Sequence, residues 1–167
     1  DDLNKPYRGW KATFFEGGTR VPFFMQLPGV IAPGSQFTAP VSHFDIFATS
    51  AALAGVQPPA DRVIDGVNLI PFARGEQGGR PHEQMFWRSG AYQVARSGDW
   101  KLQVNETQDK VWLFNLQDDP TEQHNLVDAE PARVKELLAQ LAEFNSQQKA
   151  PLWPSLVEAP ILIDKPL

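Results

Sequence analysis

The second half of the chain alternates hydrophobic and polar residues with a period of two. Short segments rich in Ser, Gly, Asp and Asn separate the alternating stretches, which is typical of consecutive antiparallel strands. We interpret the many aromatic residues in these stretches as core and cross-strand packing rather than as a ligand-binding surface. The pattern predicts four strands, at Gln84 to Arg88, Tyr92 to Arg96, Trp100 to Val104 and Lys110 to Leu116.

Two other stretches have helical spacing. From Glu130 to Phe144, hydrophobic residues recur at steps of three and four, which predicts an amphipathic helix that covers one face of the four-stranded sheet. Ile46 to Ala54 has similar spacing, and Gly55 is expected to end that helix. Ser42 or Asp45 is the expected N-cap, because a short polar side chain there accepts hydrogen bonds from first-turn amides.

A continuous hydrophobic run from Val21 to Leu27 predicts a strand that is covered on both faces. Upstream of it, Gly17 and Gly18 are expected to form a sharp turn, since glycine adopts backbone angles that other residues avoid. That turn would hold Lys11 near one end of the strand. Ligand sites in α/β proteins lie at strand ends, so Lys11 is a candidate contact for an anion.

Other charged residues have simpler explanations. Glu16 and Arg20 are expected to pair with each other or to bind backbone groups. His43 precedes a predicted helix, where it is either structural or close to an anion site. We interpret Asp45 as a helix cap rather than a metal ligand. The Asp1-Asp2 pair is a poor metal site, because no hydrophobic strand precedes it.

Composition excludes several classes of partner. The 167 residues include 15 basic and 20 acidic ones, and without a basic cluster the chain is not expected to bind nucleic acid. No hydrophobic run reaches the roughly 20 residues that cross a bilayer, so no membrane partner is expected, and the first residues are too polar for a signal peptide. With Cys at 0, the sequence has no thiol nucleophile and no disulfide.

One block of the sequence is similar to a known family signature. Residues 9–22, Gly-Trp-Lys-Ala-Thr-Phe-Phe-Glu-Gly-Gly-Thr-Arg-Val-Pro, resemble the Gly-x-Lys-x-Thr-x-x-Glu-Gly-Gly-x-Arg-x-Pro signature of the sulfatases, in the alkaline-phosphatase superfamily. The resemblance continues in family order to Leu126 and covers only the C-terminal part of a sulfatase. It includes the blocks Leu27-Pro28-Gly29, 41–49, Ala54-Gly55, 65–69, 96–102 and 113–126.

The resemblance implies an activity and its cofactors. Sulfatases hydrolyse sulfate esters with a formylglycine nucleophile and a divalent cation, usually calcium, and Lys11 stands at the position of their sulfate-binding lysine. The formylglycine arises in a Cys/Ser-x-Pro-x-Arg motif that this chain lacks. Both cofactors are therefore expected in the full-length protein and not from this chain, which alone is expected to be inactive. His43 is a weaker candidate for substrate binding, and Glu16, Arg20 and Lys101 are expected to be determinants of the fold, as are Asp65 and Asp99.

The resemblance also implies an α+β fold in two parts. Residues 1–75 are expected to be the end of the catalytic domain, with the last strand and helix of its mixed α/β structure. Residues 76–167 are expected to form a small C-terminal domain with a four-stranded antiparallel sheet, a packed C-terminal helix and an extended tail. The glycine-rich stretch from Arg74 to Pro81 marks the boundary.

Two further functions stay open at this point. A non-catalytic accessory or interaction domain would need no nucleophile, and a phosphonate or phosphate ester hydrolase of the same superfamily would share the anion-binding residues. The expected partners are a sulfate ester and the missing N-terminal sulfatase region. An exposed edge at Val21 to Leu27 predicts self-association of the isolated chain. A periplasmic or secreted location is compatible with the family.

Overall fold

The computed structural model describes residues 4–106, 109–150 and 152. Four helices and four strands lie in these ranges. In chain order they are α1 (Glu16–Thr19), α2 (Asp45–Leu53), α3 (Ile70–Ala73), β1 (Gln84–Ser89), β2 (Tyr92–Ser97), β3 (Trp100–Asn105), β4 (Lys110–Asn115) and α4 (Pro131–Ser146). The expected α+β class is confirmed.

The described residues form two compact units. One unit combines the residues up to Pro22 with those from Gln84 onward, and the other runs from Phe23 to Glu83. The segment around Lys11 therefore packs with the C-terminal sheet, although the sequence-based division placed it before a boundary at residue 75. The assignment of residues 1–75 to the end of a catalytic domain stays a prediction.

The predicted sheet is confirmed in strand number, order and direction. Strands β1 to β4 pair antiparallel in sequence order. One row of paired residues across the sheet consists of Phe86, Ala95, Leu102 and Leu113. Gly90 and Gly98 have positive φ angles of 58° in the first two hairpin turns, where other residues would be strained. The short turns explain why four consecutive antiparallel strands could be predicted from sequence spacing.

Helix α4 covers one face of the sheet, as its hydrophobic stripe predicted. Its buried Leu137 and Leu141 pack against the sheet residues Ala95, Leu102 and Leu113. Leu138 was part of the predicted stripe, but it is 41% exposed. The first and last residues of the helix lie within two residues of the expected ones, which is a usual difference for helix termini.

The opposite face of the sheet is covered by the N-terminal segment. Phe15 is fully buried there, with its ring centroid 5.4 Å from that of Trp112 and 6.1 Å from that of Phe114. Tyr92, Val94 and Leu116 complete this cluster. The sheet is therefore buried on both sides within one unit.

The expected strand from Val21 to Leu27 is not formed among the described residues. Phe24 is 91% exposed and Val21 is 72% exposed, so the run is not covered on both faces as expected. A strand requires a neighbour that completes its backbone hydrogen bonds, and no described strand pairs with this segment. The predicted strand is therefore wrong for the described residues: hydrophobic character alone does not form a strand where no neighbour pairs with the backbone.

The expected turn at Gly17 and Gly18 takes a different form. Both glycines lie inside the one-turn helix α1, and neither has a positive φ angle. Their role is close packing: a Cβ on Gly18 would lie 2.1 Å from the carbonyl oxygen of Thr13, and one on Gly17 would lie 2.5 Å from that of Gly9. Glycine is needed here because backbones approach each other closely.

In the second unit, helix α2 confirms the helix predicted from Ile46, and Gly55 follows its end with a φ angle of 69°. The predicted N-cap is wrong, since the cap is Phe44 and has no side-chain cap hydrogen bond. The tail beyond Leu152 and the Asp1-Asp2 pair lie outside the described residues. Within the described ranges, no helix has the length and apolarity that a membrane span requires.

Candidate functional site

Lys11 lies in a tight turn whose backbone is held locally. The N–H of Thr13 donates to the carbonyl oxygen of Trp10 at 2.9 Å. The buried Thr13 hydroxyl accepts from the Trp10 N–H at 3.1 Å and donates to the Trp10 carbonyl oxygen at 2.8 Å. Ala12 has a φ angle of 82°, which is rare for a residue with a side chain. Lys11 itself is exposed, so a fixed backbone carries a cation that solvent can reach.

The two ends of this segment are fastened together and to the sheet. The N–H of Gly17 donates to the carbonyl oxygen of Arg8 at 2.8 Å, which closes a loop around Lys11. The N–H of Phe14 donates to the hydroxyl of Tyr92 on β2 at 3.0 Å. The turn is thus an attached part of the sheet unit rather than a free surface loop.

A charged cluster is buried directly beneath the loop. Lys101 on β3 is fully buried, and its Nζ lies 2.8 Å from Oε1 of Glu16 and 3.0 Å from Oε1 of Glu122. The amide of Gln103 donates to Oε1 of Glu122 at 3.0 Å and its carbonyl oxygen accepts from the Tyr92 hydroxyl. The backbone N–H of Glu16 donates to the second oxygen of Glu122. Every polar group in this cluster therefore has a partner.

The charges of the cluster do not cancel when all its groups are ionised, because two carboxylates share one lysine. Burial raises the pKa of the Glu122 carboxyl, and the Glu16 carboxylate adds to that increase. The Lys101 ammonium and the donated hydrogen bonds oppose it. Glu122 also has a φ angle of 59°, and a strained residue of this kind persists only where its surroundings determine its conformation.

The two predicted site residues lie in different units. Lys11 belongs to the sheet unit and His43 to the unit from Phe23 to Glu83, and both are exposed. No observation tests their roles, which stay predictions. Glu16 pairs with Lys101 rather than with Arg20, and the Arg20 guanidinium lies 4.7 Å from the centre of the Tyr7 ring.

Sequence reasoning missed the pair formed by His82, whose side chain is 9% exposed, and a buried acid. His82 Nε2 lies 2.8 and 2.9 Å from the two carboxylate oxygens of Asp45, which is fully buried. The same carboxylate accepts the N–H groups of Ser42 at 2.7 Å and Val67 at 2.8 Å. Asp45 is structural, as expected, but it joins distant segments instead of capping α2.

The described residues do not form a metal site. Within these ranges, no three His, Asp or Glu side chains lie close enough together to hold a metal ion. The two carboxylates of the buried cluster are already neutralised in part by Lys101 and accept several hydrogen bonds. They therefore do not fit the role of calcium ligands, which need free oxygen atoms.

Comparison with known proteins identifies the family. The family model described as N-sulphoglucosamine sulphohydrolase, C-terminal, matches residues 8–149, which include the Lys11 loop, the sheet and helix α4. The chain belongs to this sulfatase family. The glycine packing and the Glu16–Lys101 pair therefore describe how a sulfatase C-terminal region is built.

Curated sulfatases from animals and bacteria are similar to the chain. Rat steryl-sulfatase is 41% identical over 117 residues, which are 70% of this chain and 20% of that protein. Mouse N-acetylgalactosamine-6-sulfatase is 39% identical over 102 residues, 60% of this chain and 19% of that protein. The uncharacterized sulfatase YdeN of Escherichia coli K12 is 25% identical in an alignment of 188 positions, which covers 90% of this chain and 33% of that protein.

Solved structures agree with the sequence matches. The crystal structure of Ps i-CgsB superimposes with a TM-score of 0.77 at 27% identity, over 90% of this chain and 34% of that one. A Bacteroides thetaiotaomicron protein of glycosaminoglycan metabolism, labelled a 6S-sulfatase, gives a TM-score of 0.70 at 26% identity, over 84% of this chain and 32% of that one. The sulfatase chain spans about a third or less of the length of these relatives. The matches support the sulfatase interpretation over the accessory-domain and phosphonate-hydrolase alternatives.

Proposed function

We propose that the chain is the C-terminal part of a sulfuric ester hydrolase and that Lys11 supplies positive charge to the bound sulfate. The family match over residues 8–149 carries the proposal. It covers the whole Lys11 loop, so the lysine of the family signature and the backbone that holds it occur together in this chain.

The geometry of the loop supports the role of Lys11. Its side chain is exposed, whereas Thr13 and Phe15 on the same segment are buried. The backbone that carries the ammonium is fixed by hydrogen bonds on both sides. The fixed backbone limits the region that the ammonium can reach, so less reorganisation is needed when negative charge develops on a substrate.

The rest of the reaction centre would come from outside this chain. The family implies a formylglycine nucleophile and a divalent cation in the full-length enzyme, and these supply the attack on sulfur and charge neutralisation. The described residues hold no metal cluster, and the sequence has no Cys/Ser-x-Pro-x-Arg motif. The part of this chain is to bind and orient the sulfate through the Lys11 ammonium.

The test is Lys11→Ala in the full-length protein, assayed with 4-nitrophenyl sulfate. We expect kcat/KM to fall by about 100-fold, the cost typical of a lost oxyanion donor. Lys135→Ala is the matched control, because Lys135 is an exposed lysine on helix α4. It should leave kcat/KM within about twofold, as surface substitutions do.

Results of two kinds would contradict the proposed role of this chain, and a third would contradict the proposed reaction. One is a Lys11→Ala enzyme with the kcat/KM of the parent, which would remove Lys11 from sulfate binding. The other is turnover of 4-nitrophenyl sulfate by residues 1–167 alone above the rate in buffer, since we expect none. A full-length protein with no activity on any sulfate ester, but with activity on a phosphonate ester, would place it with the related hydrolases.

A further inference from the structure

A single residue contacts the segment around Lys11 on both sides of the lysine. Upstream, the guanidinium of Arg8 donates to the backbone carbonyl oxygen of Glu122 at 2.8 Å. Downstream, the backbone N–H of Glu16 donates to the Glu122 carboxylate. Glu122 is 106 positions away from Glu16 in the chain, so these contacts exist only in the folded protein.

Glu122 is itself held in place from several directions. It is fully buried, and Lys101 and Gln103 on β3 both lie 3.0 Å from its Oε1 atom. Arg8 in turn lies over the Phe15 ring, 4.6 Å from its centre, and the N–H of Gly17 binds the Arg8 carbonyl oxygen. The strands of the sheet thus fix Glu122, and Glu122 fixes both ends of the Lys11 loop.

The positive φ angle of Glu122 strengthens this argument. A non-glycine residue at 59° costs stability, and a buried carboxylate costs more unless it is fully hydrogen-bonded. A hydrophobic residue at this position would avoid the burial cost if only packing mattered. Here the two oxygens of the carboxylate are used to bind the backbone N–H of Glu16 on one side and β3 on the other.

We propose that Glu122 is a positioning residue that sets the place of the Lys11 ammonium at the sulfate site. This inference rests on the proposed function. Glu122 does not touch the substrate and acts through the backbone of residues 8–16. Substitution of Glu122 by glutamine removes the negative charge and one acceptor oxygen, so the loop can shift while Lys11 stays chemically intact. A displacement of about 1 Å at a reacting centre can lower the rate by as much as 100-fold.

The test is a double-mutant cycle in the full-length enzyme with 4-nitrophenyl sulfate. We expect Glu122→Gln to lower kcat/KM by about 10-fold in the parent and by less than about twofold in the Lys11→Ala background, since residues that act as a unit are not additive. Asp118→Asn is the matched control: it also converts a carboxylate to an amide, four residues earlier in the chain, but Asp118 is exposed and binds the side chain of Asn115.

Hydrogen exchange gives a readout that is independent of activity. The amides of Thr13, Phe14 and Glu16 are hydrogen-bonded in the structure, so a peptide that covers residues 8–16 should exchange faster in Glu122→Gln and at the parent rate in Asp118→Asn. If Glu122→Gln does not fold, Arg8→Met replaces it, because it removes the upstream contact with the Glu122 carbonyl oxygen, together with the stacking of Arg8 on Phe15, and leaves the Glu122 carboxylate in place. Arg8→Met should also lose its effect on kcat/KM when Lys11 is absent.

The outcomes separate this inference from the proposed function. An equal loss of kcat/KM in the parent and in the Lys11→Ala background, or unchanged exchange of residues 8–16, would overturn the positioning role and leave the role of Lys11 intact. A Lys11→Ala enzyme with parental kcat/KM would overturn both. A non-additive cycle together with faster exchange supports the inference.

Discussion

The two faces of the C-terminal sheet are buried by different chemistry. On the α4 face, Leu102 and Leu113 pack against Leu137 and the contacts are apolar. On the opposite face, Lys101 and Gln103 are fully buried among aromatic rings and bind carboxylates from segments far away in the chain. The same strand β3 contributes to both faces, because successive side chains point to opposite sides.

The difference shows what each face contributes. Apolar packing is non-directional and tolerates substitution by other hydrophobic residues of similar volume. Ion pairs and hydrogen bonds have fixed geometry. The face that carries Lys101 and Gln103, here called the polar face, therefore determines where the N-terminal segment attaches. The Lys11 loop is fastened by the polar face. We infer that the apolar face mainly supplies stability, whereas the polar face supplies stability and the position of a functional loop.

The largest expected effect is on the polar face. Lys101→Met would leave the carboxylates of Glu16 and Glu122 buried without a counter-charge. Removal of one partner of a buried ion pair costs about 3–5 kcal/mol, so we expect a loss of free energy of unfolding of about 4 kcal/mol in denaturant titration of the full-length protein. Lys110→Met, at an exposed position on β4, serves as the control. A loss below about 1 kcal/mol for Lys101→Met would contradict the stabilising role of the cluster.

The next effect is on the apolar face. Leu137 is fully buried between helix α4 and the sheet, and Leu137→Ala should cost about 3 kcal/mol through lost burial and the cavity that remains. This substitution should leave the hydrogen exchange of residues 8–16 close to that of the parent at temperatures well below unfolding. Selective acceleration of exchange in that peptide would show that the two faces are not separate in function.

A smaller effect distinguishes the faces by their pH dependence. Burial raises the pKa of Glu122 in the folded protein, so the folded state holds a proton there over a pH range in which the unfolded state has lost it. The stabilisation is complete below the ordinary Glu value of 4.5 and is lost as the pH rises through the folded pKa. The free energy of unfolding of the parent should therefore fall with rising pH relative to Glu122→Gln, which lacks the titrating group.

The change in free energy of unfolding with pH should be smaller than the effect of Lys101→Met or Leu137→Ala, since no interaction partner is deleted. The comparison between the two proteins removes the contribution of Asp119, whose pKa is lowered by hydrogen bonds from the backbone and by His124 although burial opposes them. Asp119 acts in the opposite direction, with stabilisation lost as the pH falls. A parent-minus-variant difference that does not vary with pH would contradict the raised pKa of Glu122.

Sequence alone predicted the apolar face almost completely. The period-two strands, the hairpin glycines and the α4 stripe are local signals, so the strand order and the helix position follow from residues close together in the chain. The polar face was different. On β3, Lys101 and Gln103 alternate with hydrophobic residues, a pattern that is typical of a strand with one face in water. Only the folded structure brings Glu16 and Glu122 next to these two side chains.

The candidate site, like the polar face of the sheet, could be predicted only in part from the sequence. The family signature located Lys11, but the hydrogen bonds that fix its loop come from residues remote in sequence such as Tyr92 and Glu122. His82 gave no local signal because its partner Asp45 lies 37 positions earlier. The strand expected from Val21 depended on a neighbour that no pattern within this chain identifies.

The smallest expected effect tests the boundary of the apolar face. Leu138 follows the buried Leu137 and belongs to the hydrophobic stripe in the sequence, yet it is 41% exposed. If exposure decides the energetic role, Leu138→Gln should change the free energy of unfolding by about 1 kcal/mol or less, because a large part of the side chain is already in water and glutamine is a good helix former. Thermal or denaturant unfolding beside Leu137→Ala provides the comparison. A cost above about 1.5 kcal/mol would mean that Leu138 packs against a surface in the full-length protein, and the apolar face would then extend around helix α4 beyond the sheet.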